Sequence, residues 1–141
     1  MRKAAGIMYL IGKIFSGIKI FVEVAALVLG PIILTNKERA FEILTNIGVE
    51  GISSIEDVQK MALTMIVGAV IALVVEIVVL CFAVKADKMF DNKELKIWPH
   101  IVMIVFGSVC NGIFYLLGGI FALVETEKMR VLAQQFRNDE V

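Results

Sequence analysis

Histidine and tryptophan each occur once in this chain of 141 residues, cysteine and proline twice each, and 14 acidic side chains cancel 14 basic ones. Zero net charge leaves no basic field that could hold nucleic acid by its phosphates, so nucleic acid is not an expected partner. A lone histidine, His100, without clustered cysteines, cannot assemble a zinc site of familiar type, and no metal or other cofactor is expected. It reads as an interfacial residue. Cys81 and Cys110 lie inside apolar stretches at neither metal nor redox spacing, and read as small packing residues. Neither a Cys110-Asn111 pair nor the intramembrane glutamates have a paired base or metal, so catalysis is not expected.

What is abundant is apolar surface. Hydrophobic residues make up 59% of the chain, against roughly 45–50% in an ordinary soluble domain, and the mean hydropathy is +0.86. The stretch Met61 to Val84 contains one charge, Glu76, and no proline. A run of ~20 such residues rises about 30 Å as a helix, the hydrocarbon thickness of a bilayer. Two further apolar stretches flank it. The expected fold is an all-α integral membrane protein: one domain over 1–141, a three-helix transmembrane bundle with short interfacial amphipathic helices. The predicted spans are about 11–34, 61–84 and 101–124, with polar loops 35–60 and 85–100 and a helical tail over 125–141.

Along the chain, Arg2 and Lys3 open a basic, interfacial lead-in, and Lys13, Lys19 and Glu23 interrupt the apolar run in a way a cleaved signal peptide would not. Pro31 predicts a bend late in the first helix. Thr35 with Glu38, and Ser53 with Glu56, match capping boxes for helices that start after them. Ala40, Phe41, Ile43, Leu44 and Ile47 recur at helical spacing and give an apolar face that Gly48 and Gly51 terminate. Asp91-Asn92 marks a turn, Trp98 a membrane boundary, and Pro99 suits a first helical turn. Basic residues are nearly balanced across the two sides, so orientation is weakly encoded. An N-terminus in the cytoplasm and C-terminus outside is the expectation, with dual insertion, or a short hairpin in the third stretch, as alternatives.

Helices in lipid associate through close packing at small residues and through interhelical hydrogen bonds. Gly12, Ser16, Lys19 and Glu23 share one helix face, Gly68, Ala72 and Glu76 another, and Gly107, Asn111, Gly118 and Ala122 a third. Gly12, Ser16, Gly68, Ala72, Gly107, Gly118 and Ala122 are therefore the expected packing positions, with Gly118 and Ala122 leaving a contact the monomer does not fill. Depth brings the polar groups together. Glu76 lies about 12 Å from the Val84 end of its span, Glu23 roughly 14–18 Å from the same side and Asn111 about 15 Å. Lys19, Glu23, Glu76 and Asn111 form the candidate intramembrane polar or ion site, because a carboxylate facing lipid costs about 2.5–3.5 kcal/mol even on the lenient scale.

Two readings of that cluster stand side by side: a lysine bridge that fixes helix register, or a cation or proton site of an oligomeric channel or proton-coupled small transporter using Glu23 and Glu76. The first suits a small membrane protein that acts by helix–helix assembly, either as a homo-oligomer or as an accessory subunit of a membrane complex. Its expected partners are the lipid bilayer and itself or another membrane protein. The run Asn111 to Phe121, NGIFYLLGGIF, resembles the glycine-rich last spans of small three- or four-helix membrane proteins of unknown function from Gram-positive bacteria. Those proteins are also similar in length and in a polar, partly helical loop after the first span. The resemblance implies a multi-pass protein of the bacterial plasma membrane and carries over no catalytic residue.

Overall fold

Turn chemistry sets where the apolar runs begin and end as helices. The computed structural model describes residues 2–109 and 112–139. Among these residues the elements are all helical: α1 (Arg2–Thr35), α2 (Lys37–Asn46), α3 (Ile55–Asp91), α4 (Trp98–Val109) and α5 (Ile113–Asp139). α1 and α3 are each long and apolar enough to cross a membrane. α1 runs through Pro31 without ending there.

The caps differ from the sequence expectation by one residue each. Thr35 opens no helix: it closes α1, its hydroxyl donating 2.8 Å to the Pro31 carbonyl, and Asn36 precedes α2 without a side-chain cap. The expected Thr35–Glu38 box is therefore absent, because the threonine hydroxyl is spent on the preceding turn. Before α3 the box is Ser54 with Asp57 rather than Ser53 with Glu56. The Asp57 amide donates to Ser54 Oγ at 3.3 Å, and the Asp57 carboxylate accepts from the Ser54 amide at 2.9 Å and from both serine hydroxyls. An aspartate at the third helical position reaches back as a glutamate would. Gly48 (φ 72°) ends α2 in the left-handed region. α3 ends the same way on a less suited residue, Lys93 (φ 57°), with the Glu94 amide donating to the Met89 carbonyl and that of Lys93 to Phe90.

The largest departure is in the third apolar stretch. A continuous helix over 101–124 is expected, yet α4 stops at Val109 and α5 starts at Ile113. The two pack against each other as an antiparallel hairpin. Gly107 lies on the backbone of Leu116, and a Cβ at Gly119 would come within 2.9 Å of the His100 carbonyl. Backbones meet this closely only where side chains are missing. At 1.5 Å per residue α4 rises about 18 Å, well short of ~30 Å of hydrocarbon.

The chain divides into two compact units, Met1–Gly17 with Ile77–Val141, and Ile18–Glu76. The first has a dense core of Ala5, Tyr9, Val79, Ala83, Ala86, Phe90, Met103, Tyr115 and Ala122, with Phe82, Phe106 and Phe121 packed around it. Alanines on facing helices let the larger aromatics fill the remaining space. The second unit holds α2, of which no residue is buried, and the antiparallel remainder of α1 and α3, joined where Gly30 receives the Ile66 side chain. Its fully buried apolar side chains are few, Val58 and Ala62.

Candidate functional site

In the 18–76 unit the apolar faces of α1 and α3 each carry a charge. Lys19 and Glu76 meet as an ion pair, Nζ to Oε1 2.7 Å, with the Glu76 side chain 8% and the Lys19 side chain 45% exposed. Glu23, one turn beyond Lys19 on α1, lies within electrostatic reach of both Lys19 and Glu76. Its Oε2 is enclosed and has no hydrogen-bond partner among the described residues. Lys19, Glu23 and Glu76 are thus together. Asn111, the fourth residue expected at this level, lies outside the described residues.

The other unit carries a second polar assembly, built without a carboxylate–ammonium pair at its centre. Tyr9, fully buried on α1, meets His100 Nδ1 on α4 at 3.0 Å, and the Phe90 ring of α3 stands edge-on to the imidazole at 5.6 Å. Burial and the nearby Asp87 charge push the Tyr9 phenol up, and burial pushes the His100 imidazole down. His100 is therefore enclosed in the core of this unit. The reason is tertiary: Pro99 and His100 form the first turn of α4 on its hairpin face, where α5 and Tyr9 cover them. Whichever nitrogen carries its proton, Nε2 has no partner among the described residues, and neither does the fully buried Thr126 hydroxyl.

About two helical turns further along α1, the Tyr115 hydroxyl donates 2.9 Å to Ser16 Oγ, and its ring covers Gly12 so closely that a Cβ there would come within 2.5 Å. Lys13 pairs with Asp87, and Arg2 donates 3.1 Å to the Asp91 carbonyl while its guanidinium lies 6.0 Å from the Phe90 ring centre.

The packing positions divide accordingly. Gly12, Ser16, Gly107, Gly118 and Ala122 are buried in the first unit, with Gly118 against Met8 and Tyr9. The contact expected to stay open is closed within the same chain: Met8 and Tyr9 of α1 cover Gly118, and Ala122 is buried in the core. Gly68 is exposed, with nothing within 4 Å of a Cβ built on it, and Ala72 is half-buried. Cys81, expected to pack, is exposed; Cys110 lies outside the described residues.

Tyr9, Asp87 and Thr126 were not singled out by sequence reasoning, and Lys13 only as a charge that interrupts the apolar run. A signal existed for the tyrosine: a phenol inside an apolar stretch needs a polar partner, and the chain holds a single histidine to supply one. Asn111-Gly112 is likewise a turn signal inside the third apolar stretch.

Fold and site together define an all-helical chain with two helices able to cross a membrane and a lysine–diglutamate cluster between them. No family model, curated protein or solved structure matches it.

Proposed function

We propose that this is a small integral membrane protein that crosses the bilayer through α1 and α3, carries the α4–α5 hairpin as a membrane-dipping element, and acts by helix contacts with a second membrane chain rather than by catalysis. One observation carries the reading. Of the most apolar window of each long helix, 6% of α1 and 17% of α3 is buried, where the core helix of a soluble protein would be mostly covered. Phe21 at 75% exposure and Ile71 at 61% belong to faces that water would penalise and acyl chains accept.

Lipid is a poor cover for Lys19. Its partner Glu76 lies about 14 Å along the helix from Lys85 and about 24 Å from Lys60, inside the hydrocarbon when those lysines mark the boundaries. A half-exposed lysine side chain at that depth is better covered by a neighbouring helix than by acyl chains, which favours a homo-oligomer or a subunit role. The resemblance of the Asn111 to Phe121 run adds the bacterial plasma membrane as the expected location.

The test has two parts. The protein should stay in membranes washed with alkaline carbonate, and its mass in nanodiscs should correspond to several copies or to a defined complex with another membrane protein. Recovery in the soluble fraction defeats the membrane reading, and a lone monomer in nanodiscs without a partner defeats the assembly reading. Topology follows from cysteines placed at Thr45 and Gln135 in a chain lacking Cys81 and Cys110. Two spans plus a hairpin put them on opposite faces; three spans put them on the same face.

A further inference from the structure

Charge counting in the 18–76 unit leads one step further. The cluster holds one cation and two carboxyls, and the cation is committed: Lys19 Nζ sits 2.7 Å from Glu76 Oε1. Glu23 is the remainder. Its Oε2 is enclosed without a hydrogen-bond partner among the described residues, so an ionised Glu23 would hold an uncompensated negative charge against the carboxylate of Glu76. Two carboxyls served by one cation in low dielectric resolve by one of them taking up a proton.

We propose that Glu23 is an intramembrane proton-binding site whose occupancy is set by which carboxylate Lys19 serves. With Lys19 on Glu76, Glu23 holds the proton as a neutral acid. When Lys19 turns to Glu23, one helical turn away on the same helix, the Glu23 O–H bond breaks, the proton leaves to water, and Glu23 becomes the carboxylate of the pair. Glu76, no longer served by the ammonium, is then the acceptor for the next proton. The exchange moves one proton on and off without any other reactant. Lys19 and Glu76 are the charged groups that face Glu23, Lys19 from its own helix and Glu76 from α3. A half-exposed, flexible lysine side chain beside a well-buried glutamate suits this role.

This inference rests on α1 and α3 lying in a bilayer. Its test is infrared spectroscopy of the protein in lipid vesicles near pH 7, following the carbonyl band of protonated carboxylic acid. The wild type should show about one protonated carboxyl per chain. Glu23→Gln, which keeps the shape of the neutral acid, should remove that band and leave vesicle insertion intact. Glu76→Gln should remove it as well although Glu23 is still present, because Lys19 is then free to pair with Glu23. Absence of the band in wild type, or its persistence in Glu23→Gln, overturns the site; persistence in Glu76→Gln overturns the coupling through Lys19. Failure of the membrane reading looks different, since the protein would then not remain with the vesicles at all.

Discussion

The unit formed by residues 1–17 and 77–141 and the unit formed by residues 18–76 solve the same problem, burying polar groups among apolar helices, by different chemistry. The first encloses two tyrosines, a serine, a threonine and an imidazole in a core built from alanine, glycine and phenylalanine. The second holds an ion pair of a buried glutamate with a half-exposed lysine, and an additional carboxyl, among few buried neighbours. Neutral hydrogen bonds are short-ranged and need exact positioning, which dense packing supplies. A charge pair tolerates looser surroundings because its attraction is long-ranged, and it is costly to break because the charge left behind is stranded. Such a contrast places stability in the first unit and the capacity to change state in the second.

Removing the cation should break that contrast most sharply. Lys19→Met is expected to destabilise the folded protein in lipid or detergent by roughly 3 kcal/mol near pH 7, with most of the loss recovered in the double variant Lys19→Met/Glu76→Gln. Denaturant titration of the four members of the cycle reads the coupling; additive single effects would mean that the pair is not a unit.

Glycines sharpen the comparison next. Gly107→Ala forces a Cβ onto the Leu116 backbone, which cannot yield as a side chain tip would, and should cost about 2–3 kcal/mol. Gly68→Ala meets open space and should shift the thermal midpoint by less than the equivalent of about 0.5 kcal/mol. Equal losses at the two positions would contradict the difference in packing between the units.

A smaller effect is expected for Tyr9→Phe. It takes away the partner of His100 Nδ1 while keeping the ring, at a cost of roughly 1–3 kcal/mol, because both imidazole nitrogens then lack a protein partner among the described residues. A neutral outcome in the same unfolding assay would show that the aromatic packing alone holds this core.

The mildest expectation concerns pH. Donors from Ser53 and Ser54 hold the Asp57 carboxyl down at about 2. A folded pKa below the unfolded value means a contribution that is full above the ordinary carboxylate range and is lost as pH falls from about 4 toward 2. Amide exchange in the first turn of α3 should therefore quicken over that window relative to Asp57→Asn, whose cap is independent of pH. Identical pH profiles in the two proteins would remove the cap from the account of how α3 starts.

Much of the architecture was legible from composition and periodicity. The long helices appear where the apolar runs are, Gly48 ends α2 as its sequence position suggests, and the tail beyond Val124 continues as helix because Met129, Leu132 and Phe136 keep its spacing. The nearness of Lys19, Glu23 and Glu76 followed from counting depth along two helices. The split of the third stretch did not, because hydropathy averages over Asn111-Gly112 and a helix of twelve apolar residues looks like half of one of twenty-four. His100 and Tyr9 are far apart in the chain, and nothing local marks them as partners.

Sequence by itself determined that this chain would be helical, that two of its helices would be apolar enough to cross a membrane, and which charges would share a level, because hydrophobicity and rise per residue act along one dimension. Only the tertiary structure decided that α4 folds back onto α5, that α1 covers Gly118, and that the lone histidine is a core residue. Those outcomes depend on which backbones approach closely enough to exclude a Cβ, a relation between residues distant in the chain that no local pattern contains.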